Sequence, residues 1–300
     1  KFSWNTTLTL SHNKNSVKAL TGEAVQLYEA RFGFNQNTHR IAVGEPLGQF
    51  YGYITEGLYQ VDDFNYDAST QTYTLKDGIP YHGDKSRIRP GMWKFKNLTG
   101  DDNVIDENDK TVIGNAQPKF YGGLNNSFTY KGFDLSIFLT FSYGNEVLNA
   151  TKLVTSKVGS LNYNALDVMN SSNRWMTINS DGQKVTDPGE LAALNAGKTV
   201  AAYHDAQQGD NYIHSWAVED ASYLKLSNVT LGYTFPKKLI ARVGLKNLRL
   251  YATGNNLLTW TKYSGFDPEV STMKSGLTPG VDFGAYPLSR SFIFGLNVAF

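Results

Sequence analysis

The chain has 300 residues, of which 13 % are aromatic and 18 % are charged. The charged share is below the roughly 25 % of a typical soluble domain. The 28 basic and 27 acidic residues leave a net charge of +1, which excludes a nucleic-acid partner held mainly by charge. The absence of cysteine excludes disulfides and thiolate metal sites. No run of about 18 apolar residues, the length of a membrane-spanning helix, is present.

The first predicted strand covers residues 1–12 and alternates between apolar and polar residues. Its apolar positions are Phe2, Trp4, Leu8 and Leu10. A period of two is that of a strand with one apolar face. The sequence enters this strand at Lys1 without the features of an export signal. Either the mature protein was cut or the chain is a piece of a longer protein, and we expect the second.

A hairpin is predicted at residues 119–145. Its strands, 119–130 and 133–145, are joined only by Lys131 and Gly132, which is the length of a two-residue hairpin turn. The second strand is the most regular of the chain. Its alternating apolar positions are Phe133, Leu135, Ile137, Leu139, Phe141 and Tyr143.

The predicted strands 222–235 and 246–257 are less regular. The apolar positions change phase between Leu226 and Val229. This change predicts either a β-bulge near Asn228 or a strand that is buried on both faces.

The last predicted strand, 290–300, has apolar residues at the even positions from Phe292 to Phe300. It is long enough to cross a bilayer when tilted. The terminal Phe300, which closes the alternating strand, resembles the insertion signal that the outer-membrane assembly machinery reads.

The connections alternate between long and short. The loops 61–118, 146–221 and 258–289 are long, whereas 131–132 and 236–245 are short. Transmembrane barrels have short periplasmic turns and long external loops, whereas a soluble sandwich has no reason to sort its connections in this way. The pattern predicts an all-β fold, an antiparallel transmembrane β-barrel. Nine strands are predicted, at residues 1–12, 24–34, 38–44, 49–60, 119–130, 133–145, 222–235, 246–257 and 290–300.

Short sequence blocks of a recognisable kind follow one another along nearly the whole chain. They occupy residues 43–53, 57–60, 90–91, 109–115, 118–123, 130–135, 173–175, 220–226, 231–236, 248–251, 254–257 and 263–269. Block 118–123, for example, reads Pro-Lys-Phe-Tyr-Gly-Gly, and block 254–257 reads Gly-Asn-Asn-Leu. As an ordered set, these blocks resemble the SusC/RagA family of TonB-dependent transporters of the Bacteroidota outer membrane.

The resemblance implies that residues 1–300 form the C-terminal part of a 22-stranded barrel in the outer membrane of a Gram-negative bacterium. The N-terminal plug and the earlier strands would then lie outside this chain. The resemblance also implies active import of an oligosaccharide or a peptide, without chemistry on the substrate. The implied partners are a SusD-like surface lipoprotein, TonB acting through the plug, the rest of the barrel and the lipid bilayer.

Residues 97–109 resemble an acidic calcium loop of the EF-hand type. Asn97, Thr99 and Asp101 occupy the first three ligand positions, and Asp109 could close the loop. Asp102 stands where such a loop requires glycine. The alternative is a metal-free turn held by side-chain hydrogen bonds. No other cofactor is expected.

Four aromatic residues of the loop 146–221 are candidates for contact with the substrate, because aromatic rings stack on sugars and anchor peptides. They are Trp175, Tyr203, Tyr212 and Trp216. The alternative is that they fill the small cores that large loops need. Residues 188–206 of the same loop are predicted to form a short helix.

No catalytic motif is recognised. The five histidines do not have the HExxH spacing, and the sequence contains no G-x-S-x-G, P-loop or G-x-G-x-x-G motif. Arg249 is expected to be a lumen-facing or rim charge rather than a catalytic group, because the lumen of such barrels is polar. The chain is therefore not expected to be an enzyme. Two alternatives stay open: a complete small outer-membrane barrel that is an adhesin or an enzyme, and a secreted carbohydrate-binding β-sandwich.

Overall fold

The longest strands form one antiparallel sheet of six. The computed structural model describes residues 1–28, 36–100, 102–156, 164–202, 212–272 and 275–300. We number the six strands of this sheet, called the wall, in chain order. They are β1 (Phe2–Ser11), β2 (Phe120–Tyr130), β3 (Phe133–Tyr143), β4 (Tyr223–Thr234), β5 (Asn247–Thr261) and β6 (Ser291–Ala299). Each strand pairs with the next one in this order.

The register of the wall gives it one apolar and one polar face. On the apolar face, residues paired across the strands include Trp4, Phe128, Leu135, Leu231, Ala252 and Phe294. On the polar face, a corresponding row is Thr7, Asn125, Phe138, Asn228, Asn255 and Ser291. Residues that pair across neighbouring strands lie on the same face of the sheet. Each face therefore keeps its apolar or polar character from one strand to the next.

A β-bulge preserves this separation in β4 and β5. The register shifts between Leu226 and Asn228, and the opposing Asn256 has a positive φ of 52°. The extra residue returns Leu226 and Val229 to the same face despite their odd spacing. The bulge predicted near Asn228 is confirmed.

The hairpin predicted between β2 and β3 is also confirmed. Lys131 and Gly132 both have positive φ, 47° and 91°, which is the conformation of a tight two-residue turn that matches the strand twist.

The predicted wall strands 38–44 and 49–60, and the described part of 24–34 (residues 29–34 lie outside the described residues), are placed elsewhere by the structure. β1 pairs directly with β2, so residues 12–119 form one continuous connection, which is longer than the predicted loop 61–118. Within it, a separate four-stranded sheet has the spatial order Thr111–Asn115, Gln49–Gly52, His39–Ala42 and Val25–Tyr28. The described wall therefore has six strands rather than nine. In this separate sheet the strands His39–Ala42 and Gln49–Gly52 are largely buried, whereas Val25–Tyr28 is partly exposed.

The remaining elements are short and lie in the connections. Antiparallel pairs join Thr55–Leu58 with Trp93–Phe95 and Phe64–Asp67 with Thr72–Leu75, and a parallel pair joins Tyr81–His82 with Val104–Ile105. Glu146–Asn149 lies between Val218–Asp220 and Val281–Asp282. The α-helices are Ala150–Thr155, Pro188–Leu194 and Lys237–Ile240. The 3-10 helices are Val61–Asp63, Lys85–Arg87, Glu107–Asp109, Asp167–Met169, Ser215–Ala217 and Ala241–Val243.

The three long connections leave from the same end of the wall, that is, from the same ends of its strands. They are residues 12–119, 144–222 and 262–290, whereas the short connections 131–132 and 235–246 lie at the opposite end. The long connections pack together into one body, called the outer layer. Tyr53 N donates to the Ile213 carbonyl (2.9 Å), and Leu148 N donates to the Gly280 carbonyl (2.9 Å).

The buried cores lie in the outer layer. The members of the four clusters of buried apolar side chains all come from the long connections, for example Tyr53, Phe95, Leu148 and Trp175. Within the described ranges, no helix has both the length and the apolar character needed to cross a membrane.

Candidate functional site

A cavity of about 620 Å³ lies where the polar face of the wall meets the outer layer. The wall contributes side chains from β2, β3 and β4, among them Tyr121, Ser142 and Tyr223. All three long connections contribute as well, through Gln117, Glu146 and Glu269 respectively. Residues far apart in the sequence thus meet at one site.

Glu269 joins the third connection to the wall. Its carboxylate accepts a hydrogen bond from the Tyr223 hydroxyl (2.7 Å) and forms an ion pair with Lys225 Nζ. The side chain of Lys225 is only 5 % exposed. The Lys225 ammonium can be buried because the Glu269 carboxylate lies directly against it and compensates its charge.

Glu146 and Asn145 hold the second connection against the first and against the wall. The Glu146 carboxylate accepts a hydrogen bond from Asn115 N (2.7 Å). A Cβ at Gly114 would lie 2.6 Å from Glu146 Oε2, so this close approach requires glycine. Asn145 accepts a hydrogen bond from the Ser142 hydroxyl (2.7 Å) and donates to the Ala221 carbonyl (3.3 Å).

Glu219, in the second connection, bonds the third connection beside the cavity. It accepts hydrogen bonds from Ser264 N (2.9 Å) and the Ser264 hydroxyl (2.8 Å), and it pairs with Lys152 at 3.0 Å. Burial alone would raise the pKa of Glu219, but the Ser264 hydrogen bonds and the charge of Lys152 hold it below its ordinary value. Glu219 is therefore charged at neutral pH.

Three of the aromatic residues predicted to contact substrate lie in or against the cores of the outer layer. Trp175 is 1 % exposed and packs so closely on Gly91 that a Cβ there would lie 2.3 Å from the indole ring. The Tyr212 ring centre is 4.1 Å from that of His82, and Lys152 Nζ lies 4.1 Å from the ring centre of Trp216. Each ring has a packing role, and contact with substrate stays a prediction. Tyr203 lies outside the described residues.

The predicted calcium loop is organised around Asp109. The Asp109 carboxylate accepts hydrogen bonds from Leu98 N (2.6 Å), Thr99 N (2.9 Å) and Asp106 N (2.8 Å). Burial acts to raise the pKa of Asp109, but these hydrogen bonds lower it overall. Asn97 donates to the Asp102 carbonyl (2.7 Å).

This geometry resembles the metal-free alternative, and calcium binding stays a prediction. The ligand position of Asp101 lies outside the described residues. Among the residues that are described, no group of three or more His, Cys, Asp or Glu side chains is placed to hold a metal ion.

Two further predictions concern the wall. Arg249 lies on the polar face, as expected, and its guanidinium donates to the Asp134 carboxylate at 3.0 and 2.6 Å. Phe300 follows β6 and is 80 % exposed; its role as an insertion signal stays a prediction.

The cavity residues were not identified from the sequence. Tyr223 and Lys225 alternate with Leu224 and Leu226, which places them on the polar face of β4. The sequence therefore contained a signal for their direction. It contained none for the approach of Glu269, which depends on how the third connection folds back.

These features define a class of protein: a β-sheet wall with one apolar and one polar face, covered at one end of its strands by a folded outer layer. No protein-family model matches the chain. The TonB-dependent receptors P3 and P39 of Formosa agariphila are 34 % and 31 % identical to it over its whole length. The TonB-dependent receptor SusC of Bacteroides thetaiotaomicron is 26 % identical, again over the whole chain. A solved structure of the RagAB peptide transporter matches with a TM-score of 0.65 at 20 % identity.

The predicted resemblance is confirmed: over its whole length, this chain is similar to TonB-dependent receptors, SusC among them. The chain spans 27 %, 29 % and 24 % of P3, P39 and SusC and 27 % of the matched RagAB chain, or about a quarter of each. These proteins are named as receptors and transporters rather than as enzymes, in agreement with the predicted lack of catalytic activity.

Proposed function

We propose that the chain forms part of the wall and external layer of an outer-membrane β-barrel that imports an oligosaccharide or a peptide. The apolar face contacts lipid, the polar face lines the lumen, and the outer layer lies outside the cell. The role is to bind and position cargo. No residue of the chain acts on it chemically.

The separation of the two faces of the wall carries this proposal. The apolar face exposes large side chains to a degree that is unusual for a folded core, for example 62 % for Trp4 and 81 % for Phe294. Strands of 9 to 15 residues match the thickness of a bilayer when tilted. Lipid is the environment that makes such a surface favourable.

Aromatic residues at both ends of the apolar face support the same placement. At the end with short turns, one row contains Phe2, Tyr130, Phe133 and Tyr233. At the opposite end lie Phe120, Tyr143 and Trp260. Aromatic girdles at the two membrane interfaces are a property of transmembrane barrels.

The rest of the importer would be supplied by other segments and partners. In the described structure, β1 and β6 each pair on one side only, and we propose that strands outside this chain complete the barrel. The plug and its contact with TonB would also lie there. A SusD-like lipoprotein would cover the outer layer, with cargo held between the two.

The two alternatives are less well supported. A sandwich would cover the apolar face with a second sheet, but the buried clusters of the described chain belong to the outer layer. A complete small barrel is difficult to reconcile with similar proteins in which this chain matches only about a quarter of the length.

Growth of the source organism tests the proposal. The full-length gene is deleted, and the strain is grown on a panel of oligosaccharides and peptides as sole carbon sources. We expect growth to be lost on at least one of them and to return when the gene is restored. Depletion of TonB should abolish the same growth. Unchanged growth on the whole panel, or uptake that persists without TonB, would contradict the proposal.

A further inference from the structure

We propose that the cavity between the wall and the outer layer binds an uncharged, hydroxyl-rich part of the cargo, that is, a sugar residue, with Tyr121 as the surface on which the sugar ring lies. This inference rests on the proposed import function and specifies one substrate class for it.

The charges on the polar face of the wall are all paired. Along the six described strands, the charged residues of this face are Asp134, Lys225 and Arg249. Asp134 and Arg249 bind each other through two hydrogen bonds, and Lys225 is paired with Glu269. The polar face therefore has no uncompensated charge with which to hold a charged cargo.

Most other side chains of this face carry hydroxyl or amide groups. They form ladders across the strands, such as Asn228 to Asn255 (2.7 Å) and Asn255 to Ser291 (3.0 Å). Hydroxyls and amides both donate and accept hydrogen bonds. Sugar hydroxyls also have both capacities, so a surface of this composition can hydrogen-bond a sugar in many orientations.

The cavity itself has the same character. Its lining includes the amide residues Asn13 and Gln117, together with Ser142 and Asn145, whose hydroxyl and amide bond each other. The carboxylate of Glu146 can accept a strong, charge-assisted hydrogen bond from a sugar hydroxyl. Because Lys225 already neutralises Glu269, the charge of Glu146 leaves the lining slightly negative. A negative lining disfavours an anionic ligand.

Tyr121 supplies the flat apolar surface that sugar recognition needs. It lies on the polar face of β2, level with Ser11 and Ser142, and it is 44 % exposed. Its ring therefore faces the cavity among small neighbours and can lie against the C–H face of a pyranose. The volume of about 620 Å³ falls within the range of small-molecule sites.

A binding experiment on the purified full-length transporter tests the assignment. Isothermal titration measures Kd for three probes: neutral oligosaccharides of glucose, mannose, galactose and xylose, oligosaccharides of uronic acids, and a mixture of short peptides. We expect a neutral oligosaccharide to bind most tightly. Tyr121→Ala should weaken this binding at least tenfold, whereas Tyr121→Phe should retain it within about threefold.

Tyr143→Ala is the matched control, since Tyr143 lies at the same end of the β2–β3 hairpin but on the apolar face. It should leave Kd unchanged. Heat-modifiable electrophoretic mobility verifies that each variant is folded. Tighter binding of peptides or uronic acids, no binding of any probe, or neutral-sugar binding that is unaffected by Tyr121→Ala would each overturn the assignment. TonB-dependent growth would survive these outcomes if only the cavity assignment is wrong.

Discussion

His39 is enclosed where the first and third connections meet. Its Nε2 lies 2.9 Å from the Pro279 carbonyl, and its Nδ1 lies 2.8 Å from the Thr38 hydroxyl. A carbonyl can only accept, so Nε2 carries a proton, whereas the Thr38 hydroxyl, which also lies 3.4 Å from the Tyr28 carbonyl, can donate to Nδ1 or accept from it. Burial lowers the pKa of His39 from 6.5 to about 4, and the hydrogen bond to Pro279 opposes the change only in part.

The outer layer should therefore lose stability in mild acid. The unfolded chain takes up a proton near pH 6.5, whereas folded His39 resists protonation until about pH 4. The stabilisation is complete above the higher of these values and is lost as the pH falls between them, by about 3 kcal/mol in total. Hydrogen exchange of residues 39–42 and 280–282, measured across this interval, should show progressive loss of protection.

Substitution of His39 provides the comparison. In His39→Gln, protection should be lower at neutral pH and should fall less between pH 6.5 and 4, the remainder coming from His82, whose pKa burial also lowers. His12→Gln, at an exposed histidine of the same connection, should keep the pH dependence of the wild type. If His39→Gln retained it as well, the effect would have to be assigned to another group.

At the scale of the strands, two glycines of the polar face allow large side chains to lie flat across their neighbours. Arg249 crosses Gly232 to reach Asp134, and a Cβ at Gly232 would lie 2.5 Å from its guanidinium. Tyr251 lies over Gly295, where a Cβ would be 2.1 Å from the phenol ring. The Arg249 guanidinium is 5.0 Å from the centre of the same ring. These contacts connect β3, β4, β5 and β6 near the end of the wall with short turns.

Gly295→Val should force the Tyr251 ring out of this position. We expect a loss of roughly 1–3 kcal/mol in the free energy of unfolding, the usual result of overpacking. Ala299→Val, on the same face of β6 but exposed, should change it by less than about 0.5 kcal/mol. Urea unfolding of the full-length protein in lipid vesicles measures both. Equal midpoints for the two variants would refute the proposed role of Gly295.

Strands of different length were predicted with different success. Segments of about ten alternating residues, such as 133–143, indicate both a strand and its two faces. The four-residue strands His39–Ala42 and Gln49–Gly52 were recognised as strands, but so short a pattern does not indicate which sheet they join. Within the predicted helix at 188–206, residues 203–206 lie outside the described residues, and Pro188–Leu194 is helical. Asp187 caps its N-terminus, and Asn195, near its C-terminus, donates to the Leu191 carbonyl.

At the scale of the whole molecule, the two faces of the wall should respond oppositely to charge. Ile137 lies on the apolar face in the middle of β3, and its neighbour Ser136 lies on the polar face. Ile137→Arg should cost roughly 2–4 kcal/mol, because the guanidinium would be placed at the centre of the bilayer. Ser136→Arg points to the lumen and should be tolerated.

The amount of folded protein in the outer-membrane fraction measures this difference. We expect normal levels of Ser136→Arg and severely reduced levels of Ile137→Arg. The reverse result, or equal levels of the two variants, would show that the faces of the wall have been assigned incorrectly.

The site was harder to predict than the fold. Alternation and the lengths of the connections indicated the wall and the sorting of long and short connections to its two ends, but they carry no information on contacts between connections. Trp175, for example, is a candidate because aromatic residues suit ligands, but its sequence context does not indicate that it lies in a core. Tyr121 gives no sequence signal of a site, because a ring beside Gly122 and Gly123 on a regular strand is typical of the wall itself. Whether a ring faces a core or a cavity depends on tertiary packing.

The direct pairing of β1 with β2 has a consequence for the order of assembly. These strands are separated by the whole of residues 12–119, whereas β2 and β3 are separated by two residues. Closing the longer loop costs roughly 3–4 kcal/mol more in chain entropy. The β2–β3 hairpin should thus form first, and β1 should join an edge that already exists. Until it does, β2 has an unpaired edge on which other chains can aggregate. Completion of the wall therefore depends on folding of the first connection, which brings β1 to β2.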